Sequence, residues 1–396
     1  MLAEPVTGLA SGRRRARAVA AGAPARVALL GCLSTSLTAF RGRLIGELVA
    51  RGHEVIGCAA DHDPAVVAAL RAMGVRFVEV PLDRTGLDPW RDLKSILALR
   101  RTFAALRPDV LLAYTMKPMV YGAIAARLAG VPRVYTMVEG LGYAFADGDE
   151  RRRRLLRLIQ SQLYRVAFTL SSGTFVLNPD DRDFLRRQRL ASAGHPLVLL
   201  DGIGVELAHY APTPVPAGPS HFLFIGRLIK DKGVAAFAAA ARAVKVLHPD
   251  ARFTVLGGFD TAPGAIDPAT VEEWRAEGLI EYAGTTDDVR PFIAAATVFV
   301  LPSTYREGVP RSTLEAMAMG RAIVTTDAPG CRETVRHGEN GFLVAKHDLH
   351  GLVAALCRFA AEPELARTMG AASRRLAETR FDDRVVNRAM IEAMRL

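Results

Sequence analysis

Short apolar runs rich in β-branched residues recur along the chain, separated by longer stretches in which apolar positions return every three or four residues. In the first half RVALLG, EVIGCAA, VRFVEVPL, DVLLAYT and RVYTMV read as buried strands, and segments 39–51, 91–106 and 118–129 between them read as helices. Strands alternating with helices predict a doubly wound parallel sheet. The Pro-rich stretch YAPTPVPAGPS at 210–220 breaks the alternation as a linker. The pattern then restarts with HFLFIG, RFTVLGG, IEYAG, TVFVLPS, AIVTT and GFLV. The expected organisation is a basic, disordered arm at 1–24, an α/β domain at 25–209, the linker at 210–220 and a second α/β domain at 221–375. A C-terminal helix at 376–396 is placed to return to the first domain. Ligands of such sheets bind beyond the carboxyl ends of the strands, which here is the cleft between the domains.

Composition changes this picture in three ways. A chain of 396 residues, half of them hydrophobic, exceeds one ordinary core and fits two domains. The four cysteines, Cys32, Cys58, Cys331 and Cys357, form no CxxC pair and no metal-ligand spacing, as expected of a reduced cytosolic protein without structural zinc. The net charge of +10 is lopsided: residues 1–210 hold 29 Lys and Arg against 19 Asp and Glu, whereas residues 211–396 hold 22 of each sign. The densest runs are RRRAR at 13–17 and RRRRLLR at 151–157. Such a surface suits phosphate, anionic lipid or nucleic acid, or is simply solvated. A nucleic-acid reading lacks aromatics interleaved with the basic residues and lacks a recognised binding module. No run of eighteen apolar residues offers a spanning helix. The stretch ending LLGC loosely imitates an exported lipoprotein, but Pro24 and Arg26 interrupt it, and it serves better as the first strand.

Three strand-to-helix loops facing the predicted cleft carry candidate chemistry. The loop GCLSTSLTAFRG at 31–42 opens with Gly31, whose missing side chain lets the backbone approach a ligand; it matches neither GxGxxG nor GxxxxGK. The loop FIGRLIKDKG at 224–233 sets Gly226 and Arg227 at a strand end and Lys232 just before a helix, two cations suited to a diphosphate. The third, EGVPRSTLEAMAMG at 307–320, places Glu307 in a loop and Glu315 inside a helix. Ser312 and Glu315 also fit an S-x-x-E capping box, a structural alternative for Glu315. The DHD at 61–63 imitates a metal-binding Asp-x-Asp, but its position favours capping of the next helix.

The pattern Glu307-x7-Glu315, preceded by GRLIKDKG and followed by VTTDAPGCRETVRHGENGFLV, resembles the family 4 retaining glycosyltransferases of the GT-B fold. The segments AYTMKPMVYGAIAARLAGVPRVYTMVEGLGYAF at 113–145 and DGIGVELAHY at 201–210 resemble its bacterial branch that extends polyprenyl-diphosphate-linked glycans. The resemblance spans residues 25–375. It implies a UDP-sugar donor, a polyprenyl-diphosphate-linked saccharide acceptor, an anionic membrane surface as partner, no nucleic acid and no metal cofactor. It further implies a cytoplasmic protein, peripheral on the inner face of the membrane. Glu307, Arg227, Lys232 and Lys117 are the implied catalytic group. Glu315, Gly226, Gly31, Thr285 and the backbone amides of Arg311, Ser312 and Thr313 are implied at the donor, with the loop 283–289 at the base. Lys117, Glu139, Gly140 and Gly142 are implied on the acceptor side. Glu139 departs from the pattern, since relatives commonly carry Thr before Gly-Leu-Gly. A sugar-nucleotide 2-epimerase of the same fold would bind the same donor without an acceptor.

Overall fold

The computed structural model describes residues 23–82, 88–145, 151–261 and 264–396; the basic run at 13–17 lies outside them. The first sheet contains β1 (Arg26–Leu30), β2 (Glu54–Ala59), β3 (Arg76–Glu79), β4 (Val110–Tyr114), β5 (Arg133–Val138), β6 (Gly173–Val176) and β7 (Leu197–Leu199). Its helices are α1 (Thr35–Ala39), α2 (Gly42–Ala50), α3 (Pro64–Ala72), α4 (Pro89–Leu106), α5 (Met116–Leu128), α6 (Arg151–Leu170) and α7 (Pro179–Arg187). The second sheet contains β8 (His221–Ile225), β9 (Arg252–Leu256), β10 (Glu281–Tyr282), β11 (Val298–Leu301), β12 (Ala322–Thr326) and β13 (Gly341–Val344). With it come α8 (Val234–Leu247), α9 (Pro268–Ala276), α10 (Arg290–Ala295), α11 (Arg311–Ala318), α12 (Leu349–Ala361), α13 (Pro363–Arg380) and α14 (Asp383–Ala393).

Both sheets are parallel, in the orders β3-β2-β1-β4-β5-β6-β7 and β10-β9-β8-β11-β12-β13. The order reverses direction between β1 and β4 and between β8 and β11. The crevices beyond those strand ends are the places such sheets bind ligands, and the loops holding Gly31, Arg227 and Glu307 and the first turn of α5 holding Lys117 follow those four strands. The central strands are buried on both faces, as helices on either side require. Local sequence sets the helix starts. Asp63, Asp88, Asn178 and Asp267 each precede a proline, and each side chain accepts backbone N–H bonds of the first turn.

Four details differ from the sequence expectations. The helix expected over 39–51 begins only at Gly42, after a separate short α1, because Phe40 and Arg41 turn the chain toward the cleft. The last two strands of the first sheet, only four and three residues long, carry too little pattern to be read. The chain crosses back to the first domain later than 376. Helix α13 runs to Arg380 beside α11 and β12, and α14 then places Val386, Met390 and Ile391 in the core with Leu44 and Leu48 of α2. The crossing is fixed by Val205, which donates to Phe381 O at 2.8 Å and accepts from Asp383 N at 3.2 Å. Finally, the five apolar positions expected to share one face of 151–168 divide between two. Leu155, Ile159 and Val166 are exposed, while Leu156 and Leu163 pack on the first core, and Arg153 is buried.

Candidate active site

The cations of the second domain sit on a loop that glycine makes possible. Gly233 has φ 85°, and a Cβ there would lie 2.1 Å from Pro302 O, so the loop after β8 presses directly on the loop after β11. Asp231 O locks the two loops together by accepting from Thr304 N at 2.8 Å and Tyr305 N at 3.0 Å. Lys232 Nζ then meets Glu307 Oε1 at 2.5 Å, with Ser303 Oγ donating to the same oxygen at 3.2 Å. Both side chains of this pair are largely buried, and the ammonium lies 6.0 Å from the Tyr305 ring centre. Arg227 is half exposed and bonded to Asp260 at 2.7 Å. One buried ion pair and one accessible cation thus stand at the mouth of the second sheet.

The first domain grips the Glu307 loop through its backbone. Asn178 Nδ2 donates to Glu307 O at 3.0 Å and to Gly308 O at 2.7 Å. Arg306 reaches Asp181 at 2.8 Å, where burial pushes the Asp181 carboxyl up and Arg306 pulls it back. Gly140, at φ 123°, lies so close that a Cβ would come 2.7 Å from Arg306 O, and a Cβ on Gly142 would come 3.0 Å from Tyr305 Oη. These two glycines, expected beside the acceptor, meet the Glu307 loop itself. On the other side a Cβ on Gly330 would lie 2.3 Å from Gly308 O. The Glu307 loop is therefore aligned by both domains at once.

Glu315 is buried and accepts from Tyr210 Oη at 2.8 Å and from Arg311 Nε at 2.7 Å. Burial pushes its carboxyl up, against the pull of Arg311 and Tyr210. The capping box does not form. Helix α11 starts at Arg311 with Pro310 at its N-cap, and the Ser312 hydroxyl donates to Ile225 O at 3.1 Å. The Pro310 ring fixes φ for this start, so Ser312 lies inside the helix instead of at its cap. By helix geometry the N–H groups of Arg311 and Ser312 have no carbonyl in their own helix to bond, whereas Thr313 N reaches Pro310 O at 3.1 Å. Arg311 also crosses to the first domain, donating to Ala39 O and lying 4.9 Å over the Phe40 ring. Beside it a cavity of about 290 Å³ is lined by Phe40, Arg43, His209, Tyr210 and Asp287. Thr285 is exposed on the loop after β10, and its methyl would lie 3.2 Å from a Cβ on Gly258.

On the first domain Gly31 has a packing reason, because a Cβ there would lie 2.5 Å from Tyr114 Oη. Lys117 bonds Asp92 of α4 at 3.0 Å and lies 5.7 Å from the Tyr121 ring centre, apart from the Lys232–Glu307 pair. Glu139 is ion-paired to Arg41, whose buried guanidinium also stacks 4.8 Å over Tyr114. Burial pushes the Glu139 carboxyl up while Arg41 opposes it. The two aspartates of DHD have structural work: Asp61 accepts from Ser34 N at 2.6 Å, and Asp63 caps α3. Sequence reasoning missed Arg41, Asn178, Asp181 and Tyr210. The Asn-Pro start of α7 was the one readable signal among them.

This geometry has relatives. Residues 219–362 match the family model "Glycosyl transferases group 1", and residues 37–199 match "Glycosyl transferase 4-like domain". The chain is 27% identical over 329 residues to the N,N'-diacetylbacillosaminyl-diphospho-undecaprenol α-1,3-N-acetylgalactosaminyltransferase of Campylobacter jejuni, covering 80% of this chain and 84% of that protein. It is 25% identical over 297 residues to the Escherichia coli UDP-Gal:α-D-GlcNAc-diphosphoundecaprenol α-1,3-galactosyltransferase, covering 72% and 74%. In structure it is similar to the sucrose-phosphate synthase of Thermosynechococcus elongatus, with TM-score 0.77, 20% identity, and 94% and 98% of the two chains covered. It is also similar to Anabaena HepE solved with UDP and glucose, with TM-score 0.72, 19% identity, and 93% and 99% covered. With the two models matching its two halves in order on this GT-B architecture, the chain belongs to the family 4, or group 1, glycosyltransferases.

Proposed function

We propose that the protein moves a hexose or N-acetylhexosamine, with retention of configuration, from a UDP-sugar to a saccharide carried on a polyprenyl diphosphate. The observation that carries this reading is the Lys232–Glu307 pair beside Arg227, set at a strand-order switch point and covered by the first domain. Arg227 and Lys232 neutralise the diphosphate as its bond to the sugar breaks, the task a divalent ion has in metal-dependent transferases. The free N–H groups at the start of α11 add to this. Gly226 lets the backbone close on the phosphates, Glu315 accepts from the ribose, and the loop of Thr285 borders the base. Glu307 holds sugar hydroxyls near the positive charge that develops at the anomeric carbon. Lys117 meets the acceptor once Asp92 releases it. Both undecaprenol-linked relatives support this choice of acceptor, and the E. coli one supports a UDP-sugar.

A lipid-linked acceptor brings the enzyme to a membrane, and the first domain offers the surface. Among the described residues no helix is long and apolar enough to cross a bilayer. Helices α4 and α6 flank α5 and expose Trp90, Leu93 and Leu97 on the one, Leu155, Leu158 and Ile159 on the other. Helix α6 contains six arginines and no acidic residue. Such a face suits the inner, anionic leaflet of the cytoplasmic membrane.

The test is to incubate purified protein with undecaprenyl-diphosphate-linked saccharides and a panel of UDP-sugars, and to weigh the products. A glycolipid heavier by one hexose or N-acetylhexosamine is expected, in the presence of EDTA as in its absence. Interconversion of sugar nucleotides without a heavier glycolipid would establish the epimerase instead.

A further inference from the structure

The Glu139–Arg41 pair is left over by the roles assigned above, and its surroundings place it in the cleft. Next along the chain, Gly140 lies against Arg306 O, Gly308 N and Glu307 C, and a Cβ on Gly308 would lie 2.7 Å from Glu139 O. On the other side, Phe40 is the neighbour of Arg41 and carries the Arg311 guanidinium of the second domain. The carboxylate is thus bracketed by two contacts between the domains, and a quarter of its side chain remains accessible.

Three observations limit what this carboxylate can recognise. Arg41 is 2% exposed, donates to Glu139, lies 2.9 Å from Met137 Sδ and stacks on Tyr114, so it serves Glu139 and is closed to a ligand. A carboxylate repels a diphosphate, which excludes the phosphates of donor and acceptor alike as its target. What remains is the uncharged, hydroxyl-rich part of a substrate, to which a carboxyl oxygen paired with Arg41 offers acceptor sites. Because the backbone of Glu139 and Gly140 packs on the loop of Glu307, to which the donor sugar is assigned above, the donor sugar is the saccharide nearest this carboxylate.

We infer that Glu139, held in place by Arg41, accepts a hydrogen bond from one hydroxyl of the donor sugar and so determines which sugar is transferred. The inference rests on the transferase reading. Glu139 contacts the sugar and Arg41 is a positioning residue. A desolvated acceptor left unpaired penalises a donor that lacks the matching hydroxyl far more than a missing apolar group would.

The experiment compares UDP-hexoses, each lacking one hydroxyl, as donors for wild type and for Glu139→Ala. The wild type is expected to discriminate about a hundredfold against one of these monodeoxy donors in kcat/KM, and the variant less than about threefold. Affinity for UDP alone is expected to change little, which a general collapse of the site would not allow. Where removing one charge of a buried pair unfolds the protein, Arg41→Met combined with Glu139→Ala removes both and is expected to show the same lost discrimination. Survival of every monodeoxy penalty in the variants overturns the inference, and so does an altered preference for acceptor saccharides with donor preference intact. Wild-type protein that transfers no sugar from any donor contradicts the transferase reading instead.

Discussion

The two domains contribute to the cleft in different ways. The second domain is charge-balanced, and its working groups come from two short stretches, 226–232 and 303–315, fixed by loops that leave neighbouring strands of one sheet. The first domain carries most of the charge excess, the rest lying in the arm at 1–24, and its share of the cleft is gathered from Arg41, Glu139, Asn178 and Asp181, spread over about 140 residues. Those residues bear on the second domain's groups mainly through backbone: Asn178 holds two carbonyls of the Glu307 loop, and Gly140 packs on its main chain. The lesson is a division of labour. Substitutions in the second domain should change how the donor's charge is handled, and substitutions in the first should change alignment, sugar choice and membrane residence.

The sharpest way to break that division is at Glu307. Glu307→Gln removes the charge proposed to hold the sugar and leaves Lys232 without its carboxylate, so turnover should fall about a hundredfold or more. Calorimetric affinity for UDP should stay within a few-fold, since the loop geometry depends on backbone bonds that Gln preserves. Turnover near wild type would remove Glu307 from the site. Next in size is Lys232→Ala, which should weaken UDP about thirtyfold, the scale of a charge-assisted hydrogen bond lost from a largely buried site. Affinity for uridine should be nearly unchanged, because the partner proposed for Lys232 is the diphosphate. Equal losses for UDP and uridine would mean that the variant damaged the fold and not the anion site.

The same contrast explains what could be read from sequence. The second domain's candidate groups were legible because their spacing is local: Arg227, Lys232 and Glu307 stand in loops, and Glu315 in the helix that follows, after strands that announce themselves by composition. Even there one local rule misled. Ser312 and Glu315 have capping-box spacing, but Pro310 starts the helix, and Glu315 turns instead to Tyr210, 105 residues away. The first domain's share was not legible, because nothing near Arg41 indicates that it will meet Glu139, nor anything near Asn178 that its side chain will both cap α7 and hold another domain's loop. Gly140 and Gly142 entered only through the family resemblance, as acceptor-side residues. Their contact with residues 305–308 is a fact of domain packing that periodicity does not encode.

Asn178→Ala tests alignment alone. It removes the two bonds to the Glu307 loop, a bond to the Asp181 carboxylate and one helix cap without deleting a charge, at a cost of about 1–3 kcal/mol for the unmet partners. We expect kcat/KM for transfer to fall about tenfold while UDP affinity, set within the second domain, stays within twofold. A loss confined to UDP binding would contradict the view that the first domain acts on the loop. The substitution Asn178→Asp should not restore alignment, because the amide nitrogen is the donor and a carboxylate has none to offer. In Asn178→Gln the side chain is too long to hold both carbonyls and the cap.

The smallest effect per residue is expected where the first domain's charge is proposed to meet lipid. Arg151 and Arg154 at the exposed start of α6 lie beside the exposed Leu155, and the exposed Lys94 of α4 lies beside the exposed Leu93, one turn from Trp90. Each basic residue near an anionic leaflet contributes about 1 kcal/mol, so each change to Ser should weaken vesicle binding about fivefold at low salt. The exposed Trp90 would act differently on the same proposal, burying apolar area at the headgroup level, and Trp90→Ser should remove the part of binding that survives high salt, where charge is screened. Flotation with vesicles containing anionic lipid, at two salt concentrations, separates the two contributions. Transfer to a water-soluble acceptor analogue should be unaffected in all four variants, because none of these residues borders the cleft groups. If the variants float like wild type at both salt concentrations, the charge excess of the first domain has no part in membrane residence, and the division between the domains would hold for chemistry and alignment only.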